Sequence, residues 1–100
     1  MAYTIIWEFL VPPDKIKEFE AAYGPEGAWA QMFKRSPAFT GLQLLHCEDR
    51  FGRYLTLDCW ESATDFENFK RNFAADYQLL DAQLQGLASA ETRLGGFVTC

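Results

Sequence analysis

One hundred residues, 49% hydrophobic and 23% charged, make a globular chain with room for one domain and a thin core, and they exclude a disordered segment. A net charge of −5, with basic residues scattered as Lys15/Lys17, Lys34/Arg35 and Lys70/Arg71, argues against nucleic acid and anionic membrane as partners. No run approaches the roughly 20 apolar residues of a membrane span, the N-terminus lacks the basic and apolar regions of a secretory signal, and Cys47, Cys59 and Cys100 form neither an even framework nor a C-x-x-C pair, so a cytoplasmic protein without disulfides or metal is expected.

Tyr3 to Val11 alternates with period two, which predicts a strand with Tyr3, Ile5, Trp7, Phe9 and Val11 on a wholly apolar side and Thr4, Ile6, Glu8 and Leu10 on the other. Pro12-Pro13 ends it, and Asp14 stands where a helix N-terminus favours an acid. Ile16, Phe19 and Tyr23 then recur at helical spacing until Gly24-Pro25 breaks the run. A second helical piece carries Trp29, Met32 and Phe33 and stops before Ser36-Pro37.

Phe39 to Glu48 and Arg53 to Glu61 read as a hairpin turning at Asp49-Arg50-Phe51-Gly52. Ser62 fits an N-cap, after which Phe66, Phe69, Phe73, Tyr77 and Leu80 repeat at three and four along one helical face, with a bend expected before Gly86. Glu91 to Thr99 is a short last strand interrupted by Gly95-Gly96, a bulge or a place of close backbone approach.

The order β-α-β-β-α-β predicts an α+β, ferredoxin-like domain over residues 1–100, with two helical segments on one face of a four-stranded antiparallel sheet. Helices cover only one face, yet both are apolar. Strand three carries Leu55, Leu57 and Cys59 on one side and Tyr54, Thr56, Asp58 and Trp60 on the other. Strand two sets Leu42, Leu44 and His46 against Phe39, Leu45 and Cys47. A homodimer pairing sheet against sheet would cover the remaining face.

Trp60-Glu61-Ser62 entering an aromatic-faced helix at Phe66, preceded by Arg53-Tyr54-Leu55-Thr56-Leu57-Asp58, resembles the antibiotic biosynthesis monooxygenase (ABM) family. Supporting stretches are Phe19 through Gly27 with Trp29, then Gly41 with Leu44-Leu45, so the resemblance spans nearly the whole chain. It implies a dimeric α+β barrel with a small-molecule cavity between sheet and helices in each subunit. It also implies a cofactor-free monooxygenase acting with O₂ on a phenol- or quinol-like aromatic compound, or a non-catalytic ligand-binding or stress-response barrel. Phenol-oxidising relatives carry an asparagine four residues before the strand-three tryptophan and a tyrosine on the next helix, where this chain has Thr56 and Phe66. Haem-degrading relatives place a histidine on the second helix, and here that helix has none.

His46, the single histidine, is the side chain whose ordinary pKa suits proton transfer near neutrality, and it is the candidate catalytic base unless it is a surface or hydrogen-bonded residue. Its face relative to Trp60 depends on the hairpin register. Trp60, Trp29, Phe33, Phe66, Phe69, Phe73 and Tyr77 are candidate substrate-binding residues, with core packing as the alternative for each. Glu8 and Asp58 lie mid-strand on neighbouring strands, so they either approach closely enough to share a proton or face the dimer seam and pair with Arg53 or Arg93. An RNA-recognition surface is disfavoured, because Glu8 and Asp58 occupy the central strands and no basic-Gly-aromatic-Gly signature is present.

Overall fold

Alternation in three strands and a bulge in the fourth combine in a single sheet. In the computed structural model, which describes residues 2–100, β1 (Tyr3–Leu10), β2 (Phe39–His46), β3 (Arg53–Trp60) and β4 (Ala90–Val98) pair antiparallel in the order β2-β3-β1-β4. Each helical crossover is split in two. A single 3-10 turn at Pro13–Lys15 leads into α1 (Ile16–Tyr23) and α2 (Ala28–Phe33), while α3 (Ala63–Asn72) and α4 (Ala74–Leu84) follow β3. The expected bend falls at Phe73, whose φ of −120° and ψ of 30° leave the helical region. Ser62 caps α3, its hydroxyl oxygen accepting from the Asp65 N–H at 3.1 Å. No helix of the described residues is long and apolar enough to cross a membrane.

Register sorts the side chains. Ile5 stands opposite Asp58 on β3, and Leu42 of β2 stands opposite Asp58 from the other side, so odd residues of β1 share a face with even residues of β2 and β3. That inner face, covered by the helices, buries Ile5, Phe9, Leu42, Tyr54 and Trp60 against Phe19, Phe33, Phe66 and Phe69. The outer face carries Ile6, Leu10, Leu55 and Leu57, all half-buried, with Leu45 and Phe97 exposed at 45% and 50%.

Two sequence expectations change. A register shift between Phe39 and Gly41 puts Phe39 opposite Trp60, so Phe39 joins the inner face with Leu42, Leu44 and His46 instead of the outer one with Leu45 and Cys47. Its ring lies 5.3 Å from Trp60 and 5.5 Å from Phe33. Glu8 and Asp58 lie on opposite faces and do not form an acid pair. Glu8 follows the alternative expectation and accepts from Arg53 Nε at 2.7 Å on the outer face, while Asp58 departs from both and points inward.

The Gly95-Gly96 segment combines both expected roles. β4 slips by one residue against Ile6 and Trp7, and a side chain at Gly96 would overlap the Tyr3 ring.

The hairpin turn rests on Gly52, which takes a φ of +83°, and the Val11 N–H donates to its carbonyl at 2.7 Å. A Cβ there would also run into the Val11 carbonyl, whereas Gly86, at a φ of +94°, has open space around it. Gly52→Ala is therefore expected to lose about 2 kcal/mol or more, and Gly86→Ala about 1 kcal/mol from backbone strain alone. Urea denaturation of the two variants reads the difference, and equal losses would count against the steric part.

Candidate active site

The inner face is not covered uniformly. Between the sheet and the helices lies a cavity of about 230 Å³. Its floor is Trp7 and Phe9 from β1, Leu42 from β2, Thr56 and Asp58 from β3, and Glu91 from β4. Its walls are Tyr23, Trp29 and Phe33 from the first crossover and Lys70, Tyr77 and Asp81 from the second. The volume lies below the roughly 300–1,000 Å³ of drug-sized sites and suits a compound of one or two rings. A neighbouring cavity of about 410 Å³, between α4 and the start of β4, shares Tyr23, Asp81 and Glu91 with it.

Asp58 is the chemically distinctive member of the lining. It is 8% exposed, and burial pushes its carboxyl from 3.8 up to about 7, with no cation or hydrogen-bond donor offsetting the loss of water. A carboxyl held near neutrality by burial on a cavity floor is suited to take up and return a proton at working pH. Thr56, 3% exposed and two residues earlier on the same face, lines the same floor.

Tyr77 is raised to about 12 by burial and then by Asp58, Asp81 and Glu91, which keeps its phenol protonated as a donor. Tyr23 is raised chiefly by burial, offset in part by the nearby Trp29 indole N–H, whose geometry falls short of a hydrogen bond. Glu91 is likewise raised, by burial and then by Asp81.

The aromatic residues anticipated from sequence divide into two groups. Trp29, Phe33 and Tyr77 line the cavity, and Trp29 and Tyr77 meet edge to face at 5.1 Å. Trp60, Phe66, Phe69 and Phe73 do not line it. Trp60 is fully buried, ringed by Phe33, Phe39, Phe66 and Phe69 at 5.2–5.4 Å, and has no free face for a ligand. Phe73, half-buried, packs on Phe69 at 5.0 Å beneath Arg35.

His46, the base expected from sequence, is not among the residues that line the cavity. It shares the inner face with Trp60 but sits at the far end of β2 opposite Tyr54, exposed and outside the cavity lining. From sequence, Asp58 belongs either to an acid pair with Glu8 or to the dimer seam, and it occupies neither place. The pattern that could have placed it was its alternation with Tyr54, Thr56 and Trp60, the side that leads into the aromatic-faced helix.

No family model matches the sequence, and no curated protein matches it. Solved structures do match in fold. A point mutant of SnoaB from Streptomyces nogalater, described as a cofactor-independent oxygenase, superposes with a TM-score of 0.75 at 21% identity, covering 98% of this chain and 92% of that one. A putative antibiotic biosynthesis monooxygenase from Bordetella bronchiseptica gives 0.75 at 20% identity, with coverages of 99% and 97%. The chain has the fold of the antibiotic biosynthesis monooxygenases. A further ABM-fold protein, from Caulobacter crescentus, gives 0.74 at 14% identity over 99% of this chain and 90% of its own. The ferredoxin-like ABM fold inferred from Trp60-Glu61-Ser62 and the flanking strands is thus met across nearly the full length of both partners.

The raised Asp58 also couples to stability. Its folded value lies above its ordinary one, so between 3.8 and about 7 the folded form holds a proton that the unfolded chain releases. This group's contribution to stability therefore falls as pH rises through that window and is level above it. Asp58→Asn should be stabilising relative to the parent by on the order of 3 kcal/mol more at pH 8 than at pH 4. Urea denaturation at the two values checks this, and a difference that does not grow with pH would mean that the carboxyl is not buried.

Proposed function

We propose that this chain is an ABM-type monooxygenase that oxidises a small phenol- or quinol-like compound with O₂ and no bound cofactor. Its fold supports the class, and the observation that carries the chemistry is Asp58, an unpaired carboxyl near neutrality on the floor of an aromatic-walled cavity.

In this reading Trp29, Phe33 and Phe9 hold the ring and Asp58 takes the phenolic proton. The phenolate passes one electron to O₂, and superoxide and phenoxyl radical combine at a ring carbon, forming a C–O bond. Asp58 returns its proton to the peroxide. It then takes the proton of the ring C–H as the O–O bond breaks, and that proton leaves with hydroxide as water. One oxygen atom ends as a quinone carbonyl and the other in water, with all four electrons drawn from the substrate.

Oxygen uptake on a panel of naphthol- and hydroquinone-type compounds tests the proposal. Asp58→Asn should lower turnover by about 100-fold or more while ligand quenching of tryptophan fluorescence persists, and His46→Ala should leave turnover unchanged. Full activity in Asp58→Asn would overturn the assignment of the base. Thr56 and Phe66, in place of the relatives' asparagine and tyrosine, favour a second reading as a non-catalytic ligand-binding or stress-response barrel. That reading predicts saturable binding of aromatic ligands with no oxygen uptake.

Either reading includes a homodimer through the outer sheet face, supported by the apolar Ile6, Leu10, Leu55 and Leu57 there. The free thiols of Cys47, Cys59 and Cys100 support a reducing, cytoplasmic setting. Leu57→Glu puts a charge at the middle of that face without touching the inner one. It should convert a dimer to a monomer by size-exclusion chromatography with light scattering, and an unchanged mass would count against this interface.

A further inference from the structure

Proton transfer from a phenol requires one carboxyl, yet three face the cavity from three elements: Asp58 of β3, Asp81 of α4 and Glu91 of β4. Asp58 is 8% exposed and has no partner, and Asp81 and Glu91 stand where the inner cavity meets the neighbouring one. No cation of the described residues pairs with any of the three, since the ion pairs there are Arg35 with Asp76 and Arg53 with Glu8. Lys70, the lysine of the lining, holds its ammonium over the rings of Phe66 and Tyr77 at 5.6 and 5.3 Å. The rings of Trp7, Tyr23, Trp29 and Tyr77 supply further electron-rich surface around the same space.

A cavity of this kind attracts positive charge and resists negative charge. We infer that it selects an aromatic ligand bearing a protonated amine, with the ring among the aromatic walls and the ammonium at Asp81 and Glu91, and that it discriminates against carboxylated analogues. As a statement about the substrate this rests on the oxygenase reading, whereas as a statement about binding it stands apart from turnover.

Trp7 and Trp29 line the cavity, so tryptophan fluorescence reports occupancy. Three probes of matched shape separate the charge states: tyramine, para-ethylphenol and para-hydroxyphenylpropanoate, titrated at about pH 7.5, where the amine is protonated. Tyramine should bind about tenfold tighter than para-ethylphenol, with the carboxylate weakest, and added salt should narrow the gap. Glu91→Gln and Asp81→Asn, both at exposed positions, should each lower tyramine affinity severalfold and leave para-ethylphenol unchanged.

Equal affinity for tyramine and para-ethylphenol, tightest binding of the carboxylate, or no saturable quenching by tyramine would overturn the inference. Selective tyramine binding without oxygen uptake would support it while removing the oxygenase reading. Oxygen uptake on neutral phenols without any preference for the amine would do the reverse.

Discussion

The pairing of Ile5 with Asp58 across β1 and β3 is the constraint on which the rest of the molecule depends. Side chains alternate strictly along a strand, so one register decides at once which half of the central strands meets the helices. With this register Phe9, Tyr54 and Trp60 enter the core, and Leu55 and Leu57 are left on the outer face. A slip of one residue would turn Trp60 and Asp58 outward together. The same pairing that builds the core therefore sets the acid on the cavity floor, and neither can be moved without the other.

Trp60 locks this arrangement from the helical side. Four phenylalanine rings from α2, β2 and α3 close around it, and aromatic contacts of this kind add to the area they bury. Past Phe73 the helix changes direction. The continuous ridge expected from Phe66 to Leu80 consequently divides, its first half sealing Trp60 and its second half, at Tyr77, facing the cavity. The cavity exists because α4 does not continue the packing of α3, and α4 buries none of its own residues fully.

Much of the fold was legible because its signals are local. Strand alternation, the Gly52 turn, the Ser62 cap and the aromatic spacing are properties of neighbouring residues, and the element order followed from them. The site was less legible because it is defined by pairing across strands. Glu8 and Asp58 look equivalent in sequence, two acids mid-strand, and only the odd-with-even register separates an outward acid held by Arg53 from an inward one with no partner. Phe39 departs from the alternation for a similar reason, since a bulge of one residue inverts its face and leaves no mark in the apolar pattern. His46 stands out in the sequence as the single histidine, but the register leaves it exposed at a strand end, outside the cavity lining. Asp81 and Glu91 carry no signal in the sequence, because an acid at an exposed position is ordinary and only the fold brings the two to one cavity.

An unpaired buried acid lowers stability whenever it is ionised, so packing gives no reason to keep it. A threonine or leucine would fill the same position on β3 without that cost, and the neighbouring even position already holds Thr56. Residues that break the local rules of packing without a compensating contact tend to be those a site requires. Tyr77 completes the argument. Its phenol, raised to about 12, stays protonated near neutrality, whereas the Asp58 carboxyl, raised to about 7, changes protonation state there.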